Sequence, residues 1–305
     1  MSGTLTLLAA GLQTYLVDGG RPHTRSLGVP LGGAADRASL AIGNALVGNP
    51  PDTPALECCL SGPSLVADVP LACVLFGAPF SLSSKRRPLE GSTSFTLEPG
   101  EELHIGGAAR GMRAYLCVAG GIAGASILGS RSSLEPLPAG TRLAVCSGRI
   151  TARRPELECD LETTLRVLPG GQADWFPGVL LRQAEVTTAS NRMGLRLRGV
   201  PLPVSGREMV SEPVCPGTVQ VTRDGQCIIL GVDGQTIGGY PKIAHVVAAD
   251  LDRLGQLRPG TVVTFAYVTP AEAIHLAQVK SQQLRAWQTR LAVTLERTPQ
   301  AGTAL

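Results

Sequence analysis

Ten residues of the chain, Asp233 to Lys242, hold a carboxylate, an amide, a hydroxyl, two adjacent glycines, an aromatic ring and a lysine. They lie in Gln220–Lys242, QVTRDGQCIILGVDGQTIGGYPK, where an apolar run (Ile228–Leu230) ends at Gly231 and delivers Asp233, Gln235 and Thr236. Gly238-Gly239, Tyr240 and Lys242 follow. Donors gathered at a strand end, with glycine permitting close backbone approach, suit a polar or anionic small molecule. Lys242 stands out because only Lys85 and Lys280 accompany it among 27 basic residues.

Two further segments are denser in glycine and polar residues than folding requires. In Ser190–Gly199, SNRMGLRLRG, Asn191 and Arg192 precede Gly194, and Arg196 and Arg198 share one face of a short strand. Arginine at such positions grips a carboxylate or phosphate through paired hydrogen bonds, or equally forms a solvated face. In Gly11–Asp36 the pairs Gly19-Gly20 and Gly32-Gly33 flank Arg21 and precede Asp36, which opens a helix. A helix start is a natural anion site, although two tight turns before a capped helix account for this segment alone.

Stock catalytic motifs are missing. The chain has no GxxxxGK[ST], no GxSxG and no HExxH, and none of its four methionines precedes a lysine as in biotin carriers. His23, His104, His245 and His275 lack ligand spacing, so no metal site is expected.

The elements that must position these residues are mostly strands. Apolar runs recur at Leu71–Phe76, Ser94–Leu97, Arg113–Val118, Thr164–Leu168, Val219–Val221, Cys227–Gly231 and Thr261–Val268, separated by Pro-Gly or Gly-Gly turns. Helical spacing marks Asp36–Val47 and a short Asp250–Gln256 helix with Asp250 as cap. A C-terminal helix opens on Thr269, Pro270 and Glu272, a capping box, and its stripe of Ala273, Ala277, Leu284, Trp287 and Leu291 predicts a lid on the barrel. The polar stretch 151–162 predicts a linker between an N-terminal β-rich lobe (1–150) and a C-terminal barrel lobe (163–270), followed by a helix and tail (271–305).

Composition narrows the class. The 305 residues include 37 Gly and 23 Pro, are 44% hydrophobic and only 17% charged, which excludes coiled coil and disordered tail. A net charge of +3 argues against nucleic acid or an anionic membrane as partner. Eight cysteines without a CxxC pair predict reduced, mostly buried thiols. The first basic residue is Arg21, so no signal-peptide n-region is expected, and the glycine-broken apolar run Ala114–Ser130 is too short to span a membrane. The expected compartment is the cytoplasm.

The segments together resemble the allophanate hydrolase subunit 2 family, which includes the C subunit of 5-oxoprolinase, the Kip inhibitor antagonist and one half of the urea carboxylase carboxyltransferase domain. The resemblance runs from Leu7 to Ala273 through Gly28–Asp36, Asn44–Pro50, Ala119–Ile122, Leu128–Ser133, Ser190–Gly199, Pro216–Val221, Asp233–Ile243 and Asp250–Phe265. It implies a mainly β, two-lobed, cyclophilin-like barrel architecture. It also implies an obligate subunit 1 (Kip-inhibitor-like) partner, and a third subunit with which members open 5-oxo-L-proline to L-glutamate at the expense of ATP and Mg. No biotin is expected on this chain. Departures are Gly32 for the family's usual Ser, Ile237 for Thr and Pro79 where Asp is frequent.

On this reading Asp233 and Lys242 are the catalytic candidates, Asp233 as base or metal-bridging carboxylate. Lys242 and Arg192 bind anionic groups, and the Gly238 and Gly239 amides steady an oxyanion. Arg21, Asp36, Asn191, Gln220, Gln235, Thr236 and Tyr240 complete the substrate or nucleotide contacts. Two alternatives remain open: a regulator that captures a Kip-inhibitor-like protein and so relieves a kinase, and a carboxyltransferase module acting on urea or allophanate.

Overall fold

A computed structural model of the chain describes residues 3–204, 206–207 and 209–297, with side chains described to residue 293. The N-terminal strands are β1 (Gly3–Ala9), β2 (Gln13–Val17), β3 (Ala55–Cys59), β4 (Ser64–Ala67), β5 (Leu71–Gly77), β6 (Phe80–Ser84), β7 (Phe95–Leu97), β8 (Glu102–Ala108), β9 (Arg113–Val118) and β10 (Arg142–Val145), with helix α1 (Arg37–Leu46) after β2. Then come β11 (Thr164–Pro169), β12 (Gln183–Val186), β13 (Gly194–Arg198), β14 (Glu212–Pro213), β15 (Thr218–Val221), β16 (Cys227–Leu230), β17 (Ile237–Gly238) and β18 (Lys242–Val246). The chain continues with α2 (Leu251–Leu254), β19 (Val262–Tyr267) and α3 (Pro270–Arg297).

The fold is mainly β, as expected. The first ten strands form two five-stranded antiparallel sheets, ordered β10-β1-β4-β8-β6 and β2-β3-β9-β5-β7. Leu5, Leu7, Leu65 and Leu103 of one pack against Leu56, Leu71, Leu116 and Val118 of the other in a shared core. The outer sheet leaves one face to water, so β8 alternates buried and open positions. The second sheet is covered on its other face by α1, through Leu40, Ile42 and Leu46. That is why β5 and β9 read as near-continuous apolar runs, buried at every residue.

Seven later strands close a barrel, β11-β18-β15-β16-β13-β12-β19, in which β11 and β19 run parallel. Val167, Val219, Val221, Ile229, Ile243 and Val263 fill it. The ladder β14–β17 lies outside the barrel. No helix or strand occurs between Val145 and Thr164.

Asp36 caps α1 by accepting the Ser39 amide at 2.9 Å. The Thr269–Glu272 capping box forms, the Thr269 amide donating to Glu272 Oε2 at 2.7 Å and the Glu272 amide to Thr269 Oγ1 at 3.3 Å. Two expectations change. Asp250 makes no capping bond, because its carboxylate accepts the Arg166 amide and guanidinium instead. Helix α3 is not a lid on the barrel alone, because Trp287 joins Leu40 and Ile42 against the N-terminal sheet while Lys280 Nζ donates to Ala249 O beside the barrel. All eight cysteines are free; five are buried, whereas Cys215 is exposed. The tail beyond Arg297 lies outside the described residues. Among the described residues no helix is long and apolar enough to cross a membrane.

Candidate functional site

The site is built where segment 18–36 crosses onto the barrel. The two glycine pairs meet each other there. Gly20 and Gly33 adopt φ of 86° and 78°, and a Cβ on Gly33 would stand 2.6 Å from the Gly20 amide nitrogen and 2.8 Å from Asp18 O. Only glycine permits that crossing. Asp18 anchors it by accepting from Ser130 Oγ at 2.6 Å, Ser132 Oγ at 2.7 Å and the Arg131 amide at 2.6 Å. Burial opposes its ionisation, yet these donors hold its carboxyl below the ordinary range.

Arg192 occupies the centre. Its Nε donates to Asp233 Oδ2 at 2.6 Å and its Nη2 to Gly33 O at 2.6 Å, while Nη1 donates to Glu57 Oε1. The guanidinium lies 5.1 Å from the centroid of Tyr15. Glu57, in the middle of β3, also accepts from Arg113 Nε at 3.2 Å, Tyr115 OH at 2.9 Å and the Ala35 amide at 3.0 Å. Burial works against its charge, but Arg192 and Arg113 override this and keep it below the usual carboxylate range. Asp233 is the partly open end, its side chain 34% exposed. Burial and the Glu57 charge raise the Tyr115 hydroxyl well above its ordinary value, leaving it a proton donor.

Gly32 leaves room beside this pair. At φ 64°, its Cβ would stand 2.7 Å from Arg21 Nη1 and 3.8 Å from Asp233 Oδ1, and its amide donates to Val232 O at 2.9 Å. Arg21 is otherwise engaged with carbonyls, donating to Ser132 O at 2.7 Å and Ile127 O at 3.2 Å. Arg192 also lines a cavity of about 110 Å³, with Leu31, Ala34, Arg113, Asn191, Leu195 and Ile229.

Seven of the residues singled out by sequence form two clusters. Arg21, Arg192 and Asp233 converge at Gly32. Gln220, Gln235, Gly238 and Lys242 gather under the β14–β17 ladder, where Lys242 Nζ donates to Glu212 Oε2 at 2.5 Å and Gly238 faces Glu212. Thr236 is buried between the clusters, its carbonyl accepting the Val214 amide at 2.9 Å. Gly239 and Tyr240 line an open groove. Among the described residues no hydrogen bond or ion pair joins the clusters, so ten consecutive residues serve two places.

Asp36 is an outlier: fully buried, it accepts from Gln256 Nε2 at 2.7 Å and Ser39 Oγ at 2.6 Å. The α1 start that suggested an anion site already holds one, since Asp252 Oδ1 accepts the Arg37 amide at 2.9 Å. Asn191 shapes a turn, accepting the Met193 amide at 2.9 Å. Arg196 and Arg198 face solvent, and Arg198 pairs with Glu185. Sequence reasoning missed Glu57, Arg113, Tyr15 and Tyr115. The available signal was a charge inside an apolar strand, Glu57 in ALECC and Arg113 before AYLCV.

The donors here do not fit a nucleotide triphosphate. Arg192 is committed to three acceptors, Arg21 to two carbonyls and the first α1 amides to Asp252. Among the described residues no group of three or more His, Cys, Asp or Glu side chains is placed to hold a metal.

The carboxyltransferase domain, subdomain A and B, matches residues 27–267. The chain belongs to that family. The match includes Glu57, Arg113, Arg192 and Asp233 and the whole barrel. Among relatives of this carboxyltransferase-domain chain, the C subunit of 5-oxoprolinase from Escherichia coli (strain K12) is 32% identical over 292 residues, covering 90% of this chain and 94% of that protein. The crystal structure of TTHA0988 superposes with a TM-score of 0.78 at 34% identity over 86% of this chain. The K. lactis urea amidolyase superposes at 0.80 with 25% identity over 93%. The chain spans 56% of the TTHA0988 chain and 20% of the amidolyase.

Proposed function

We propose that this chain is the C-type component of an ATP-dependent 5-oxoprolinase, opening 5-oxo-L-proline to L-glutamate together with a subunit 1 (Kip-inhibitor-like) protein and a third subunit. The observation that carries this reading is the Arg192–Asp233 pair in a chain that matches 94% of the length of a 5-oxoprolinase C subunit. Asp233, oriented by Arg192 and open on one side, positions the amide or the attacking water. The small cavity lined by Arg192 takes the apolar part of a five-membered ring. The ATP-driven step and its magnesium belong to the assembled complex, since the donors around Arg192 do not fit a triphosphate.

The test is co-expression with both partners and measurement of 5-oxo-L-proline-dependent ATP hydrolysis. Asp233→Asn, a substitution at a part-exposed position, is expected to lower turnover about 100-fold or more while the complex still assembles. A complex without substrate-dependent hydrolysis, or one indifferent to Asp233→Asn, overturns the reading.

A second reading, carboxyl transfer to a urea-type amide, is favoured by the family description and the amidolyase likeness. It requires biotin on another chain, so a purified complex that streptavidin does not stain disposes of it.

A further inference from the structure

The outer wall of the barrel carries a polar cluster that the Arg192 site does not use. Gln220 on β15 and Lys242 on β18 stand opposite each other, 1% and 6% exposed. Their neighbours Val219, Val221 and Ile243 fill the barrel, so this pair projects outward, beneath β14–β17. A lysine so far from water requires an anion, and Glu212 supplies it at 2.5 Å.

The two halves of the ion pair are unequally held. Lys242 belongs to a barrel strand, but Glu212 is 47% exposed and sits in a two-residue strand whose residues are both exposed. The surrounding donors exceed what Glu212 takes. Gln172 Nε2 approaches its Oε2 at 3.5 Å, whereas Gln220 Nε2 is buried without any partner. A Cβ on Gly238 would meet Gln220 Nε2 at 2.5 Å and Gln235 Nε2 at 3.0 Å, so two amide groups crowd a position that only glycine leaves clear. Gln235 in turn lines a groove of about 830 Å³ together with Gly239, Tyr240, Pro241, Arg207 and Arg223.

We propose that Lys242 and Gln220 bind the carboxylate of a small organic acid entering from this groove, and that Glu212 is an internal stand-in occupying the site until that acid arrives. The stand-in defines the chemistry. One monovalent carboxylate balances one ammonium, and the neutral Gln220 amide supplies the remaining hydrogen bond. Binding exchanges the Lys242–Glu212 pair for a Lys242–ligand pair and releases β14. The inference rests on residues apart from the Arg192 site and does not depend on the 5-oxoprolinase reading.

Only three lysines make the test direct. Full-length protein and Glu212→Gln are treated briefly with an N-hydroxysuccinimide ester, with and without sodium acetate, and labelling of Lys85, Lys242 and Lys280 is read by mass spectrometry. Lys85, 88% exposed, is the internal control. In Glu212→Gln, Lys242 is expected to label at least tenfold faster than in the native chain. Acetate should slow that labelling several-fold without changing Lys85, and should restore melting temperature lost in Glu212→Gln. Unchanged Lys242 labelling in Glu212→Gln, or labelling indifferent to acetate, overturns the proposal. A purely structural pair would instead show neither acetate protection nor an acetate-dependent rise in melting temperature. Acetate as probe keeps this outcome separate from any failure to hydrolyse 5-oxo-L-proline.

Discussion

Arg192, at the rim of the barrel, donates to the carboxylate of Glu57, a residue 135 positions away in the middle of an N-terminal strand. Glu57 is 1% exposed and is shared with Arg113, so one buried carboxylate sits between two guanidiniums. A buried charge is tolerated only while its partners stay in place. The pair therefore fixes how the barrel meets the sheets, and with it the direction in which Asp233 points.

Removing both members should cost less than the sum of the two single removals. Arg192→Met leaves Glu57 with a single guanidinium and Asp233 with none, and Glu57→Gln leaves two arginines short of an anion. Each is expected to lower unfolding free energy by about 3 kcal/mol or more. In a urea-denaturation cycle the double variant should fall short of the summed losses by about 1–3 kcal/mol. Additive losses would show that the two side chains do not act as one unit.

Acid should act on the fold through two carboxyls in opposite senses. Burial and the nearby Asp252 charge push Asp36 up to about 6 from an ordinary 3.8. Between those values the native protein holds a proton that the unfolded chain releases, so stability falls as pH rises through that window. Glu57, held below its ordinary 4.5 by Arg192 and Arg113 against the cost of burial, contributes stability above that value and loses it as pH falls. Asp36→Asn keeps an oxygen for the Ser39 amide but cannot titrate. Its melting temperature, followed by calorimetry from pH 4 to 7, should lack the decline between about 4 and 6. The loss of its Gln256 bond makes the slope, rather than the absolute value, the readout. An unchanged slope assigns the effect to another group.

What the sequence discloses follows the range of the interactions. The α1 cap and the Thr269–Glu272 box are local, three residues apart, and were legible. The apolar runs of β5 and β9 announced strands, and their burial on both faces came from the structure. Glu57 with Arg192 was not legible, because nothing local relates residues 135 apart, and of the two only Arg192 was singled out in its own segment. The division of Asp233–Lys242 into two clusters depends on β17 pairing with β14, a two-residue strand with no periodicity to detect. Gln220 and Lys242 share a face only through a register that shifts between Val219 and Gln220, which no alternation pattern encodes.

Neighbouring glycines in the crossing should differ sharply. At Gly33 a Cβ meets backbone on the other limb, Gly20 N at 2.6 Å and Asp18 O at 2.8 Å, which cannot give way. At Gly32 the nearest atom is the end of Arg21, at 2.7 Å, a side chain that can turn aside. Both positions have positive φ, which alone costs about 1–2 kcal/mol for alanine. Gly32→Ala should lose that much, and Gly33→Ala clearly more, by urea unfolding. Equal losses would mean that the crossing relaxes and does not require Gly33.

Trp287 tests whether α3 straps the two parts of the molecule together. It is 3% exposed and packs with Leu40 and Ile42 of α1, whereas Lys280, two turns earlier, is held beside the barrel by Ala249 O at 2.7 Å and Asp252 at 2.7 Å. Trp287→Ala removes the apolar anchor and leaves the polar one. Truncating a buried Trp costs about 3–5 kcal/mol where the surroundings cannot collapse, and the distal half of α3 can lose less by detaching. Amide hydrogen exchange should therefore rise at least tenfold in 284–293 while 270–280 stays protected. Uniform deprotection along the helix would mean that α3 is held as one rigid body, and its Lys280 contacts alone do not anchor it.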